Sequence, residues 1–413
     1  MKKQINIGLF GFGCVGSGLY EILNRSKLVN AKIKKIVVKD PDKIRSISKE
    51  NFSFERNTIL EDPEINTVVE LISDSQAAYE IVTQAIKNGK NVVSANKKLI
   101  AEHLTELIEL ANENNVSFLY EASVAGSIPI IRNLEEYYNN DSLSSLQGIV
   151  NGTTNFILTK SNLGIGYAEA LKIAQEQGFA EANPKLDVDG FDAKYKLLIL
   201  IKHAFGIDVQ ENDIFNYGIR HIKPEDVRFA KEKDYRIKLF ARAQKVGNEI
   251  IGFVAPHFIK NDHPAYEVNN EFNAVLVEAA FSDRQLFIGK GAGSFPTASA
   301  VLSDISALLY DYKYEYRKSE NVSSHFSNEF FVRVYLGSNY IDSINELPFY
   351  RVDTLYQSEN YTYQIGWIKF DEIAKLDFNS ISELSLIVLP DEIKSSAEFA
   401  KINVEKKQFI VEN

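Results

Sequence analysis

Between residues 181 and 196 the chain packs carboxylates and amines into one short stretch: Glu181, Asp187, Asp189, Asp192, Lys194 and Lys196. Asp192 and Lys196 are four apart, so on a helix they share one face. That helix runs on into the apolar stretch Leu197 to Ile201. An acidic loop that empties into a helix buried on most sides is a poor match for a merely solvated charged face. The carboxylates suit a substrate ammonium group, and the lysine suits an oxygen on which negative charge develops. A second amine, Lys97, ends the run Ser94-Ala95-Asn96-Lys97 at the C-terminal end of an apolar segment. Open α/β sheets bind ligands at that edge, where a lysine can face a nicotinamide and an anionic substrate. Taken alone, Lys97 reads as a surface lysine.

The third constellation is Gly11-Phe12-Gly13-Cys14-Val15-Gly16, directly after an apolar segment and opening a helical pattern. Glycines there allow a tight turn and let the backbone approach a pyrophosphate, which the helix N-terminus then holds with its amides and dipole. The pattern is weak alone; its place between a first strand and a first helix makes it specific. The second strand ends Val38-Lys39-Asp40, with Arg45 close behind. An acid here would bind the ribose hydroxyl of NAD, and a cation the 2′-phosphate of NADP. Lys39 at the strand tip favours NADP; all three charges also read as surface residues. Ile72 and Ser73, at the end of the next strand, are further candidates for the cofactor edge.

The elements that must carry these groups alternate between two periods. Ile5 to Phe10, Ile33 to Val38, Thr67 to Ile72, Val92 to Ala95 and Phe118 to Ala122 read as strands. Val15 to Leu23, Ala77 to Lys87 (closed by Gly89) and Leu99 to Ala111 read as helices. Such alternation predicts βαβ units and a Rossmann-like parallel sheet over residues 1–130. From 131 to 319 helical patterns (Tyr167 to Gln177, Ala193 to Phe205) mix with strands (Glu249 to Val254, Phe272 to Glu278, Arg284 to Ile288). This is expected to be an α+β substrate and dimerisation domain. Residues 320–413 read as strand Phe330 to Leu336, helix Ile341 to Leu347, strands Arg351 to Tyr356 and Thr362 to Trp367, helix Asp371 to Leu376 and strand Leu384 to Leu389. That β-α-β-β-α-β order predicts a small C-terminal α+β domain, ACT-like but degenerate. The fold class is α/β.

Composition excludes several functions. At 413 residues the chain exceeds one ordinary core. A formal net charge of -10 leaves no basic footprint for nucleic acid and disfavours an anionic membrane surface. No apolar run is long enough to span a bilayer, and none resembles a signal sequence. The single cysteine, Cys14, makes no internal disulfide and fits a reducing cytoplasm. Six histidines are present, none in a hydrolase motif; His203, on an apolar helix, reads as a core residue.

The Gly11-x-Gly13-x-Val15-Gly16 loop, Ala95-Asn96-Lys97, Glu121-Ala122-Ser123-Val124-Ala125-Gly126 and Asn151-Gly152-Thr153-Thr154-Asn155-Phe156-Ile157-Leu158 occur in order. They are followed by Gly178-Phe179-Ala180-Glu181-Ala182, Asp187-Val188-Asp189-Gly190-Phe191-Asp192 with Lys196, and Gly291-Ala292-Gly293-Ser294-Phe295-Pro296-Thr297-Ala298. In this order, over residues 5–310, the sequence resembles the homoserine dehydrogenase family. The resemblance implies interconversion of L-homoserine and L-aspartate 4-semialdehyde with NADP or NAD. It implies Lys196 as proton donor to the aldehyde oxygen, with Lys97 binding substrate and cofactor. Glu181 would hold the substrate amino group, and Asp187 and Asp192 would complete the polar cluster. Gly178 and Gly293 would lie near the cofactor. Backbone carbonyls of Glu121, Val124, Gly126 and Ile128 would hold a sodium ion, and the enzyme would be a homodimer.

There are departures. Asn183 stands where the family usually has Asp, and Ser127 replaces a glycine before Ile128-Pro129. The C-terminal region lacks the Pro-Gly pair usual after the first ACT strand, which argues against threonine feedback. The chain opens at the nucleotide domain, so no fused kinase is expected ahead of it. Among rivals, a phosphorylating semialdehyde dehydrogenase needs a cysteine nucleophile, and Cys14 lies in the phosphate loop. A sugar-type oxidoreductase would carry Lys-Pro where this chain has Lys97-Lys98. A catalytically silent nucleotide-binding regulator is the remaining alternative, disfavoured by retention of both Lys97 and Lys196.

Overall fold

Ile5, Ile7, Leu9 and Phe10 are all buried in the first strand, β1 (Ile5–Phe10). Burial on both faces is what makes a parallel strand read as an apolar run. In the computed structural model of the chain, β1 lies in parallel between β2 (Ala31–Val37) and β4 (Thr67–Glu70). With β3 (Phe52–Ser53), β5 (Asn91–Ser94) and β6 (Phe118–Leu119) the sheet runs β3-β2-β1-β4-β5-β6, all parallel. The order reverses between β1 and β4, and dinucleotides bind in the crevice at such a switch point. Helices α1 (Cys14–Arg25), α2 (Ser75–Lys87) and α3 (Lys97–Glu113) make the crossovers.

The structure describes residues 3–26, 29–320, 323–340, 344, 347–376 and 384–400, with the backbone alone at 391 and 392. Two compact units are present. One comprises Met1–Asp141, Leu198–Glu211 and Phe287–Glu320; the other comprises Ser142–Leu197, Asn212–Leu286 and Asn321–Asn413.

The second unit is built on a large mixed sheet. Its centre is a hairpin of β9 (Tyr235–Val246) and β10 (Glu249–Lys260), closed by Gly247-Asn248 with Gly247 at a φ of 64°. A positive φ at the first loop residue is what a two-residue hairpin demands. β7 (Leu143–Ile149) pairs with β9, and β11 (Phe272–Ala279) with β7, both antiparallel. Beyond β11 comes β12 (Asp283–Lys290), and short β8 (Phe215–Asn216) and β13 (His325–Phe326) both pair with β10.

The C-terminal strands β14 (Phe330–Ser338), β15 (Phe349–Gln357), β16 (Thr362–Lys369) and β17 (Ser385–Ser395) continue this sheet in the order β17-β14-β16-β15. Their neighbours are antiparallel, the split βαβ arrangement expected from the element order. Phe253 of β10 packs with Phe330 and Phe370 in one apolar cluster, so these strands share a core with the rest of the unit. The helix expected over Ile341 to Leu347 lies, Ile344 and Leu347 apart, outside the described residues.

One expected strand is shorter. Phe118 to Ala122 was predicted extended, but β6 stops at Leu119 and Glu121–Ser123 forms a 3-10 turn. The buried Glu121 carboxylate accepts from the Ile131 and Arg132 amides, both at 2.9 Å, which turns the chain out of the sheet.

Candidate active site

In the first unit, Gly11 leaves β1 with a φ of 93°, and a side chain there would place a Cβ 2.5 Å from the Leu71 carbonyl. Gly16 is equally constrained, its missing Cβ lying 2.3 Å from the Gly11 carbonyl. The loop therefore has room only for glycine at its two ends. α1 starts at Cys14 with Gly13 as its cap, so its first amides face the cleft without a side-chain cap. Gly293, at a φ of 121°, opens helix Ser294–Ala307, and Ser294 Oγ donates to the Cys14 carbonyl at 2.8 Å. The cleft, about 910 Å³, is lined by Gly11, Phe12, Gly13, Lys39, Ile72 and Ser73 among others.

Four cations also line it, Lys39, Lys43, Arg45 and Arg56, the last paired with Glu80 at 2.8 Å, beside the acids Asp40, Glu55 and Asp74. Asp40 is exposed, and its Oδ1 accepts from the amides of Asp42 (2.8 Å) and Lys43 (3.2 Å). Arg45 is held by the carbonyls of Asp40 (2.7 Å) and Lys43 (2.8 Å) and lies over the Phe52 ring at 5.1 Å.

Lys97 begins α3, half-buried, and Asn96 caps that helix through the Leu99 amide at 3.1 Å. Beneath this edge lies Glu70, fully buried at the end of β4. One oxygen accepts from the Ile72 amide at 2.7 Å and the other from Ser94 Oγ. Burial pushes its pKa up to about 7, against the two hydrogen bonds. Glu70 thus ties the loop carrying Ile72 and Ser73 to the one carrying Asn96 and Lys97. The only hint of it in the sequence is an acid ending the otherwise apolar run Thr67-Val68-Val69.

In the second unit, Asn151 caps α4 (Gly152–Asn162), its side-chain oxygen accepting from Thr154 N at 2.8 Å and Thr154 Oγ1 at 3.0 Å. Its amide nitrogen therefore faces the other way, donating to Asp187 Oδ1 at 2.7 Å and Asp192 Oδ2 at 2.9 Å. Helix α5 (Phe191–Phe205) carries Asp192 and, one turn on, Lys196. Lys196 Nζ donates to Asp192 Oδ2 at 2.7 Å and to the Val150 carbonyl at 2.6 Å. Asn151, Asp192 and Lys196 are only 5%, 4% and 7% exposed, so this is a buried ion pair. Deleting one partner of such a pair costs about 3–5 kcal/mol. The helix spacing expected from the sequence is what brings the amine and acid together.

The other acids separate. Asp189 pairs with Arg220, and its carbonyl accepts from Asn216 at 2.9 Å. Glu181 lies on an exposed turn, tied in by its carbonyl, which accepts from Gln175 at 3.1 Å. Gly178 opens that turn at a φ of 76°, next to Phe179, whose carbonyl accepts from Thr153 Oγ1 at 2.6 Å.

The loop at Glu121, Val124, Gly126 and Ile128 is buried at all four positions. Ala125 and Gly126 are consecutive left-handed residues, with φ of 54° and 56°. Gly126 is obligatory, since a Cβ would meet the Lys290 carbonyl at 2.5 Å. Behind it, Arg132 pairs with Asp304 at 3.0 Å and gives its backbone amide to Glu121; burial pushes the pKa of both acids up. Among the described residues no group of three or more His, Cys, Asp or Glu could hold a metal ion. No helix among them is long and apolar enough to cross a membrane.

Residues 11–121 match the family profile described as homoserine dehydrogenase, NAD binding domain, and residues 129–306 match that of homoserine dehydrogenase. The chain is 36% identical to the homoserine dehydrogenase of Bacillus subtilis, covering 97% of this chain and 94% of that one. It is 41% identical to that of Helicobacter pylori over 74% of each chain. The crystal structure of a homoserine dehydrogenase from Thiobacillus denitrificans superposes with a TM-score of 0.82 at 31% identity, covering 94% of this chain and 99% of that one. A hyperthermophilic archaeal homoserine dehydrogenase in complex with NADPH superposes with a TM-score of 0.65 at 28% identity, covering 76% and 99%.

Proposed function

Because the chain belongs to the homoserine dehydrogenase family, and is thus an NAD(P)-dependent oxidoreductase, we propose that Lys196 is its proton donor in the interconversion of L-homoserine and L-aspartate 4-semialdehyde. The observation that carries this role is the buried Lys196–Asp192 pair. When bound, the reduced nicotinamide supplies a hydride to the aldehyde carbon. Lys196 meets the charge that then grows on oxygen and delivers a proton to it; Asp192 keeps the amine charged and aimed. Asp187 and Glu181 hold the substrate ammonium group, and Lys97 binds substrate and cofactor. Gly11, Phe12, Gly13, Cys14, Val15, Gly16, Ile72, Ser73, Gly178 and Gly293 form the cofactor-binding set.

NADP is the favoured cofactor. Lys39, at the end of the second strand, lines the cleft with Lys43 and Arg45, and cations there suit a 2′-phosphate. The carbonyls of Glu121, Val124, Gly126 and Ile128 suit a sodium ion: hard oxygen donors on a tight loop, backed by two buried carboxylates and one arginine. Residues 1–130 are assigned to the dinucleotide, 131–319 to substrate and dimerisation, and 320–413 to a divergent ACT-like domain. The protein is expected to work as a homodimer in the reducing cytoplasm; sedimentation at a monomer's mass would contradict the first point.

The test is Lys196→Arg. Arginine keeps the charge for Asp192 but does not give up a proton near neutral pH. Turnover should fall roughly 10²–10⁴-fold, while NADP binding stays near the parent's. Parent-like turnover would remove Lys196 from proton transfer.

A further inference from the structure

We propose that Asn151 is a positioning residue of the catalytic cluster: it holds Asp187 and Asp192 together as two ionised carboxylates and so keeps Asp192 fit to orient Lys196. The inference rests on the role of Lys196 proposed above and extends it to a residue that touches none of the reacting atoms.

Three features of the geometry carry it. First, the orientation of the Asn151 amide is fixed, because its oxygen accepts from both the amide and the hydroxyl of Thr154. The nitrogen end, with its two hydrogens, therefore faces the acids and reaches both, at 2.7 and 2.9 Å. Second, Asp192 Oδ2 receives two donors, Asn151 Nδ2 and Lys196 Nζ, so a shift of the amide moves the acceptor on which the lysine is aimed. Third, Lys196 also donates to the carbonyl of Val150, the residue next to Asn151. The start of α4 thus fixes both ends of the Asp192–Lys196 pair.

The chemistry explains why a donor is needed there. Two carboxylates converging on one amide, one of them buried, repel each other, and such repulsion favours uptake of a proton by one of the two. A protonated Asp187 or Asp192 would no longer hold an ammonium group or orient a lysine. An amide that donates to both favours the ionised form of each. No neutral side chain of one hydroxyl can do so, whereas serine would cap the helix equally well. That difference separates the two roles of Asn151.

The experiment compares Asn151→Ser and Asn151→Asp with the parent in the full-length protein. Each variant is followed by its thermal midpoint and by kcat and KM for homoserine across pH. Serine keeps the cap and removes the bridge; aspartate keeps the cap and adds a third carboxylate. The Ser variant is expected to unfold within a few degrees of the parent. Its kcat/KM near neutral pH should drop roughly tenfold or more, with the acid limb moved up by about one pH unit. The Asp variant should lose more, and most at low pH. Parent-like kcat/KM and an unmoved acid limb in the Ser variant would reduce Asn151 to a helix cap. Should the Ser variant misfold, an Asp variant as active as the parent would overturn the proposal equally. A parent that does not oxidise homoserine would instead defeat the reading of Lys196.

Discussion

Glu70→Gln isolates one buried charge and gives its effect a sign. The carboxyl titrates near 4.5 in ordinary surroundings and is pushed up to about 7 where it lies buried under Ile72 and Ser94. The folded chain then holds a proton that the unfolded chain has released, so stability falls as pH rises from 4.5 through 7. A gap of about 2.5 units at 1.36 kcal/mol per unit is roughly 3 kcal/mol at full extent. About 2 kcal/mol of this falls between about pH 5.5 and 8.5. Glutamine keeps an oxygen for the Ile72 amide and an amide for Ser94, without a titration. Urea unfolding of parent and variant across that range should therefore give a difference that grows in the variant's favour with pH. A difference that stays flat, or runs the other way, would refute the burial argument for Glu70.

The other roles have their own tests. Lys39→Ala should weaken NADP more than NAD, by roughly tenfold if one phosphate contact is lost; equal losses in a fluorescence titration would refute the 2′-phosphate reading. Glu181→Ala should raise KM for homoserine about tenfold with kcat little changed, and an unchanged KM would contradict its hold on the amino group. Exchanging sodium for a bulky organic cation should lower turnover several-fold, with recovery on adding sodium back; identical rates in both buffers would leave the Glu121–Ile128 loop a purely structural turn.

How legible these features were in the sequence depends on which force set them. β1 and its glycine loop were readable because a doubly covered strand is continuously apolar and the tight turn admits only glycine. The Asp192–Lys196 pair followed from helical spacing alone. β9, by contrast, went unread. Lys238 lies fully buried in it, its amine on oxygens of Asn155, Val268 and Asn269, and Arg242 is nearly as deep. Basic residues at core positions hide a strand from any pattern of apolar residues. Asn151 and Glu70 were missed as site residues for a related reason. Their roles are made by partners tens of residues away, and nothing local marks an asparagine as bridge rather than cap. The division of the acids, with Asp189 turned to Arg220 while Asp187 meets Asn151, likewise needed the tertiary structure.

The central claim is that this chain oxidises homoserine with a nicotinamide dinucleotide, and NADP by preference. It is tested by adding L-homoserine to the full-length protein at alkaline pH, in sodium buffer, and following nicotinamide reduction with NADP and NAD in parallel. The account predicts homoserine-dependent turnover with both or with NADP alone, and a higher kcat/KM for NADP. Folded protein that binds NADP yet gives no turnover with either cofactor would contradict it, and would point instead to a nucleotide-binding regulator without catalysis.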